Sequence, residues 1–338
     1  MSQVAHVHLK AGGNFVVKFT YYDSQDVKPK DVDWSEVNMM RVTSSQDFVS
    51  FSRISWIHFY NLFRGNRLPN LESLSIAGDT EYGELETDLC IEPLAQIIRT
   101  ISDGDTNKIK NLTVTCKNLT GVAGEDDGWE LFRLCCRYYL KGLTSLDYSR
   151  NFVGINDEIQ ALETTMCALL SIPTLEHVEL HCEGRQDLNL SPATLTSFAN
   201  CHSLKSLELS CCTLSDSQIR TLCAVLNLKS THKLFHLELR INDNLTNPIA
   251  CGEALSKMVQ QMPFGLSIEL YSSGRSLQDE FLCKFGEGLR SLHDSSVETL
   301  AFYFQLSEKV QVEYLDIFKQ NYTLRNLKQW KIYNFSWL

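Results

Sequence analysis

No stretch of this chain approaches the roughly eighteen consecutive apolar residues that a membrane-spanning helix needs. The opening residues Met1-Ser2-Gln3-Val4-Ala5-His6 lack the basic and apolar regions of a secretory signal. No long polar or low-complexity tract interrupts the sequence, so order is expected nearly throughout. Basic charge is the scarcer sign: 31 Lys and Arg face 41 Asp and Glu, a formal net charge of −10. Binding a phosphate backbone calls for a basic face, so nucleic acid is disfavoured and a basic partner favoured. Also missing are a Cys-x-x-Cys pair, a phosphate-binding Gly-rich loop, a Gly-x-Ser-x-Gly elbow and a His-Glu-x-x-His helix. Without them no catalytic role is expected, and no cofactor.

What is there begins with size. At 338 residues the chain exceeds an average one-core globule, so it is two ordinary domains, one large domain or a repeat array. Its 12 cysteines sit in a long chain without an export signal, several inside apolar patterns such as Leu134-Cys135-Cys136. They read as buried free thiols in a reducing, cytoplasmic compartment rather than as a disulfide framework. Asn-X-Ser/Thr triplets such as Asn111-Leu112-Thr113 matter only in a secreted protein and are read as chance.

Self-similarity decides the architecture. An apolar residue followed by others three and five positions later, LxxLxL, recurs eleven times. The clearest copies are Leu71-Leu74-Ile76, Leu143-Leu146-Tyr148, Leu175-Val178-Leu180, Leu204-Leu207-Leu209 and Leu234-Leu237-Leu239; fainter ones begin at Val4, Val37, Ile109, Gly265, Val297 and Leu324. Successive starts lie 27 to 38 residues apart, which leaves room for a full helix in each repeat. Between strands the periodicity does turn helical: Ile219, Leu222, Cys223 and Leu226 fall at i, i+3, i+4 and i+7 behind Ser215, a helix-capping type. Similar stretches run over 91–101, 129–140, 159–170, 254–262, 281–292 and 310–318.

The stretch from Leu204 to Leu226, LKSLELSCCTLSDSQIRTLCAVL, resembles the ribonuclease-inhibitor class of leucine-rich repeat. Cys212, Asn151 and Asn242 fall in the slot where that class carries Asn or Cys; Asp79, Lys117, Glu183, Ser273 and Gln305 depart from it. The resemblance covers about residues 60–320. It implies an α/β solenoid, a curved arc with a parallel sheet on the concave face and helices on the convex face, and an interrupted asparagine ladder. Stacking explains the design, because a strand with one apolar face and a helix with one apolar stripe bury themselves only against further copies. A single domain over 1–338 is expected, with irregular N-terminal repeats or a cap over 1–65 and a C-terminal cap over 324–338. A separate N-terminal domain over 1–65 is the alternative.

Because side chains alternate along a strand, the residues between the motif leucines form outward columns. One column reads Asp147, Glu179, Glu208, Glu238 and Glu269 on consecutive strands. Like charges about 4.8 Å apart repel by roughly 0.9 kcal/mol in water and about 3.5 kcal/mol at an effective dielectric of 20, so the row offers the fold no evident benefit. It reads as a surface for a cationic partner; the plainer alternative is that exposed strand positions are simply polar. The column two residues on reads Ser149, His181, Ser210, Arg240, Tyr271, Tyr303 and Trp330, turning aromatic towards its end. Tyr, Trp and Arg are the types enriched at binding hot spots, although stacked aromatics also stabilise sheets. The acidic loops Asp79–Asp88 and Glu125–Asp127 follow strands and add charge to one rim.

These columns support a monomeric scaffold or inhibitor that binds a basic protein, with neither nucleic acid nor membrane as partner. A regulatory or substrate-recruiting subunit, including a translocated effector of an intracellular pathogen acting in host cytosol, is the alternative reading of the same surface. A third is a metal-dependent hydrolase using His177, Glu179 and His181, which alternate onto one strand face. The same spacing arises on any polar strand, so no metal is expected.

Overall fold

The computed structural model describes residues 3–9, 15–19, 34–44, 61, 68–78, 89–102, 108–116, 119–120, 134–150, 166–182, 190–227, 234–262, 265–290, 297–321 and 324–329. The chain divides into two compact units, Met1–Leu175 with Cys182–Gln186, and Glu176–His181 with Asp187–Leu338.

In the first unit the strands are β1 (Gln3–Leu9), β2 (Phe15–Phe19), β3 (Val37–Ser44), β4 (Ser73–Gly78), β5 (Leu89–Cys90), β6 (Asn111–Cys116), β7 (Leu119–Thr120) and β8 (Ser145–Arg150). Six of them form the order β8-β6-β4-β3-β1-β2, parallel except for the β1–β2 hairpin, while β5 and β7 pair as a short ladder of their own. Helix α1 (Ile91–Ile101) occupies the span that the periodicity predicts. Of the stretches expected over 129–140 and 159–170, the described helical turns are 134–139 and 166–170. Motif residues meet across the sheet: Met40 lies opposite Leu74, Leu74 opposite Leu112 and Leu112 opposite Leu146. The first copy departs from this frame. Val7 sits opposite Val42 and Ala5 opposite Met40, so the repeat here begins two residues earlier than Val4. Antiparallel β2 flanks this outermost strand, where the apolar pattern no longer has a coil on both sides to fix it.

In the second unit strand and helix alternate. The order in sequence is β9 (His177–Cys182), α2 (Pro192–Ser197), β10 (Ser206–Leu214), α3 (Asp216–Asn227), β11 (His236–Ile241), α4 (Pro248–Gln261), β12 (Leu266–Ser272), α5 (Asp279–Arg290), β13 (Val297–Phe302), α6 (Glu308–Gln320) and β14 (Asn326–Gln329). All neighbouring strand pairs are parallel, in the order β14-β13-β12-β11-β10-β9. A parallel strand needs a crossover to return, and each helix supplies it. With the repeated LxxLxL frame, this arrangement is an α/β leucine-rich-repeat solenoid.

Burial follows the repeat. Leu204, Leu207 and Leu209, like their counterparts Leu234, Leu237 and Leu239, are buried together with Ile219, Leu222, Cys223 and Leu226 of α3. Strand residues alternate inward and outward along β11 and most of β12, as a strand buried on one face requires. Close helix approach is built in: a Cβ on Gly252 of α4 would run into the backbone oxygen of Phe281 in α5, and one on Gly288 into Ser256.

Polar side chains tie one coil to the next. Buried Tyr314 Oη donates to Leu282 O at 2.8 Å, Asn321 Nδ2 to Leu289 O at 3.2 Å and Gln218 Nε2 to Leu190 O at 2.6 Å. Ser215 does begin α3, but as half of a capping box: its backbone N–H donates to Gln218 Oε1 at 2.8 Å. The asparagine slot behaves differently from the family pattern. Asn242 Oδ1 accepts from Asn244 N within its own loop at 2.8 Å, whereas the departing residue Ser273 reaches the neighbouring coil, its Oγ accepting from Asp243 N at 3.0 Å. Asn151, Asp79, Lys117, Glu183 and the side chain of Cys212 lie outside the described residues.

Among the described side chains, Cys135, Cys136, Cys167, Cys201, Cys223, Cys251 and Cys283 hold thiols rather than disulfides. Burial pushes the Cys223 thiol up to about 12 and that of Cys135 up to about 11, so neither is a ready nucleophile at neutral pH. Among the described residues no helix is long and apolar enough to cross a membrane.

Candidate functional site

Register, rather than proximity in sequence, assembles the acidic row. Glu179 on β9 lies opposite Glu208 on β10, Glu208 opposite Glu238 on β11, and Glu238 opposite Glu269 on β12. The inward neighbours Leu207, Leu237, Leu239, Ile268 and Leu270 are locked in the core and fix which way each carboxylate faces. The row stops at β13, where Ala301 stands opposite Glu269 and is buried. Asp147 belongs to the first unit, on β8 opposite Thr113.

Crowding leaves an electrostatic mark on the middle of the row. Partial burial, reinforced by the negative charges of Glu208, Glu269 and Glu179, pushes the Glu238 carboxyl up to about 7. Its folded form therefore keeps a proton that the unfolded chain loses near the ordinary glutamate value. The unfolded state then binds fewer protons, and the stability contributed by Glu238 falls as pH rises from about 4.5 through about 7. We expect Glu238→Gln to leave the protein almost as stable as wild type near pH 5. Near pH 8 the variant gains roughly 1–2 kcal/mol once solvent screening is allowed for. Thermal melts at the two pH values check this; an advantage that does not grow with pH overturns it.

The second column forms in part. Arg240 pairs with Tyr271, and the rings of Tyr271 and Tyr303 stack with centroids 4.2 Å apart and planes 3° from parallel. Burial raises both phenols, Tyr303 up to about 12; the bond to Glu269 raises Tyr303 further, whereas the bond between the two phenols raises Tyr271 and lowers Tyr303. Tyr271 donates to Tyr303, which donates to Glu269, so the aromatic pair and the acidic row are one connected patch. Ser210 does not join the column: β10 shifts register between Leu209 and Thr213, and Thr213 takes the place beside Arg240. The side chain of His181, Trp330 and the acidic loops over 79–88 and 125–127 lie outside the described residues.

Two residues of this surface carry no weight in the sequence reading. His236 Nε2 stands 3.6 Å from Glu208 Oε1 across the β10–β11 ladder, and Ser206 Oγ donates to the same oxygen at 3.3 Å. Cross-strand neighbours sit far apart in sequence, so only the LxxLxL alignment of successive copies signals them. His177, by contrast, lies against Glu176 at 4.0 Å and packs edge-on to Phe235 with centroids 6.1 Å apart.

No protein-family model and no curated protein matches the chain. Among solved structures, the chain is similar to the crystal structure of human 5T4 (Wnt-activated inhibitory factor 1, trophoblast glycoprotein). The two are 14% identical with a TM-score of 0.44, over 82% of this chain and 83% of that one.

Proposed function

We propose that this protein is a binding scaffold or inhibitor that holds a basic protein partner on the outward face of its parallel strands. The observation that carries the reading is the in-register row Glu179–Glu208–Glu238–Glu269, kept together although burial and the neighbouring carboxylates push Glu238 up. Like charges aligned on adjacent strands cost folding stability, and a cationic partner repays that cost by complementarity and by steering its approach. The stacked Tyr271–Tyr303 pair, hydrogen-bonded to Glu269 and beside Arg240, gives the patch the rigid aromatic area that anchors interfaces. An electron-rich ring face flanked by carboxylates suits lysine and arginine side chains. Asp147, His181 and Trp330 remain candidate partner contacts on the sequence pattern alone, and the long repeats are taken to be of the ribonuclease-inhibitor class. The buried thiols of Cys135, Cys136, Cys223 and Cys251 agree with work in a reducing compartment, and a monomer is part of the same proposal.

Affinity purification with mass spectrometry, run on wild type and on Glu208→Lys/Glu238→Lys/Glu269→Lys side by side, tests this. Wild type is expected to retain a lysine- and arginine-rich protein that the variant loses. Equal recovery of that protein by both overturns the reading.

A further inference from the structure

We infer that Glu208, His236 and Glu238 form a binding site for a divalent transition-metal ion. His236 and Glu238 are two residues apart on β11 and therefore share its outward face, while Glu208 stands opposite Glu238 on β10. One ligand atom from each of the three lies within 4.8 Å of the others, and all three side chains are half-buried. The 3.6 Å between His236 Nε2 and Glu208 Oε1 is close to the ligand–ligand edge of about 3.4 Å that a tetrahedral ion with bonds near 2.1 Å requires. Small rotamer adjustments close the remaining gap, since the strands beneath are pinned by buried Leu207, Leu237 and Leu239.

The donor set selects the class of ion. An imidazole nitrogen with two carboxylate oxygens suits zinc, manganese, iron or cobalt in the divalent state. Calcium and magnesium prefer all-oxygen shells, and copper(I) prefers sulfur. Ser206 Oγ, donating to Glu208 Oε1 at 3.3 Å, orients that carboxylate from outside the ligand set, the usual arrangement around a metal ligand. Glu179 and Glu269, next in line on either side, add negative potential that draws a cation in. Three protein ligands on an open strand face leave further coordination positions for water or for a group of a bound molecule.

The within-strand trio His177, Glu179 and His181 is a separate matter, because the side chain of His181 lies outside the described residues. His177 lies against Glu176 and Phe235, and the cluster found among the described residues spans two strands.

The inference goes beyond the partner-binding reading and is separable from it, because His236 has no part in that reading and the Tyr271–Tyr303 pair none in this one. The test uses the full chain, stripped by chelator and titrated with Co²⁺, whose visible absorption reports coordination, and with Zn²⁺ in competition by calorimetry. One equivalent is expected to bind, with affinity falling in His236→Ala and in His236→Gln by at least the about 10- to 100-fold that losing an outer-shell partner costs, and unchanged in the helix-surface variant Glu253→Gln. Circular dichroism on each variant separates loss of the site from loss of the fold. Absence of saturable binding, or saturable binding indifferent to both His236 variants, overturns the inference. Capture of the basic partner by His236→Ala stays at wild-type level, so failure of metal uptake leaves the partner reading standing, and failure of capture leaves the metal site standing.

Discussion

Glu208→Lys/Glu238→Lys/Glu269→Lys is expected to weaken capture of the basic partner by at least about 100-fold, about 2.7 kcal/mol, with no change in the circular dichroism spectrum. All three side chains point away from the core, so reversal leaves the motif leucines untouched. Wild-type binding is expected to weaken steeply with salt, because exposed charges are screened beyond about 8 Å at physiological ionic strength. In the triple variant that salt dependence reverses or vanishes. Glu238→Lys alone separates binding from folding more sharply. It places a cation between Glu208 and Glu269, turning two repulsions into two attractions, and so is expected to raise the melting temperature while lowering affinity. Titration of the identified partner by calorimetry at two salt concentrations, beside a thermal melt, reads both effects. Undiminished affinity in the triple variant, or a destabilised Glu238→Lys, contradicts the account of the row.

The repeat was legible because burial enforces it. Every strong LxxLxL copy places its three apolar residues in the core, and Leu237 lands opposite Leu207 and Ile268 as equal repeat frames require. The acidic row follows from that same frame, which is why residues some thirty positions apart were readable as neighbours. Legibility ends where a local feature breaks the frame. The register shift between Leu209 and Thr213 inserts residues that no period reveals, so Ser210 gives way to Thr213 beside Arg240. At β1, pairing with antiparallel β2 on one side replaces the second coil that elsewhere fixes the phase, and the copy slides by two residues. The bridging role in the Asn slot passed to Ser273 because the Asn242 carboxamide is spent on its own turn. That Glu208 and His236 face each other escaped notice for a different reason. Strand alternation exposes pairs two residues apart, such as His177 and Glu179, whereas a ligand set split between β10 and β11 emerges only once the ladder is aligned.

Phe281→Ala tests the stacking that carries these columns, and is expected to cost about 3–5 kcal/mol, the range for deleting a buried phenylalanine side chain. Phe281 is wholly buried on α5 beside Leu282, Phe285 and Leu289. Collapse of the cavity is hindered on the α4 side, because Gly252 already brings its backbone against the Phe281 carbonyl and Ser256 Oγ is tied to Lys284 O and Phe285 O at 3.1 Å. On the α6 side, Tyr314 holds Leu282 O. A repeat array is stabilised largely by contacts between adjacent coils, so the damage is expected to stay local. Hydrogen exchange should accelerate most in α4, α5 and α6 and in β12 and β13, and least in β10. Chemical denaturation gives the size of the loss and exchange mass spectrometry its location. A loss below about 1 kcal/mol, or exchange raised equally across the second unit, would mean that this unit is held by a shared core rather than by coil-to-coil stacking. The distinction bears on the binding surface, since Glu269 and Tyr271 ride on β12 and Tyr303 directly follows β13. Local opening of those strands would dissolve the aromatic end of the patch while leaving Glu179 and Glu208 in place, so Phe281→Ala is expected to lose partner affinity without losing the β9–β10 ladder.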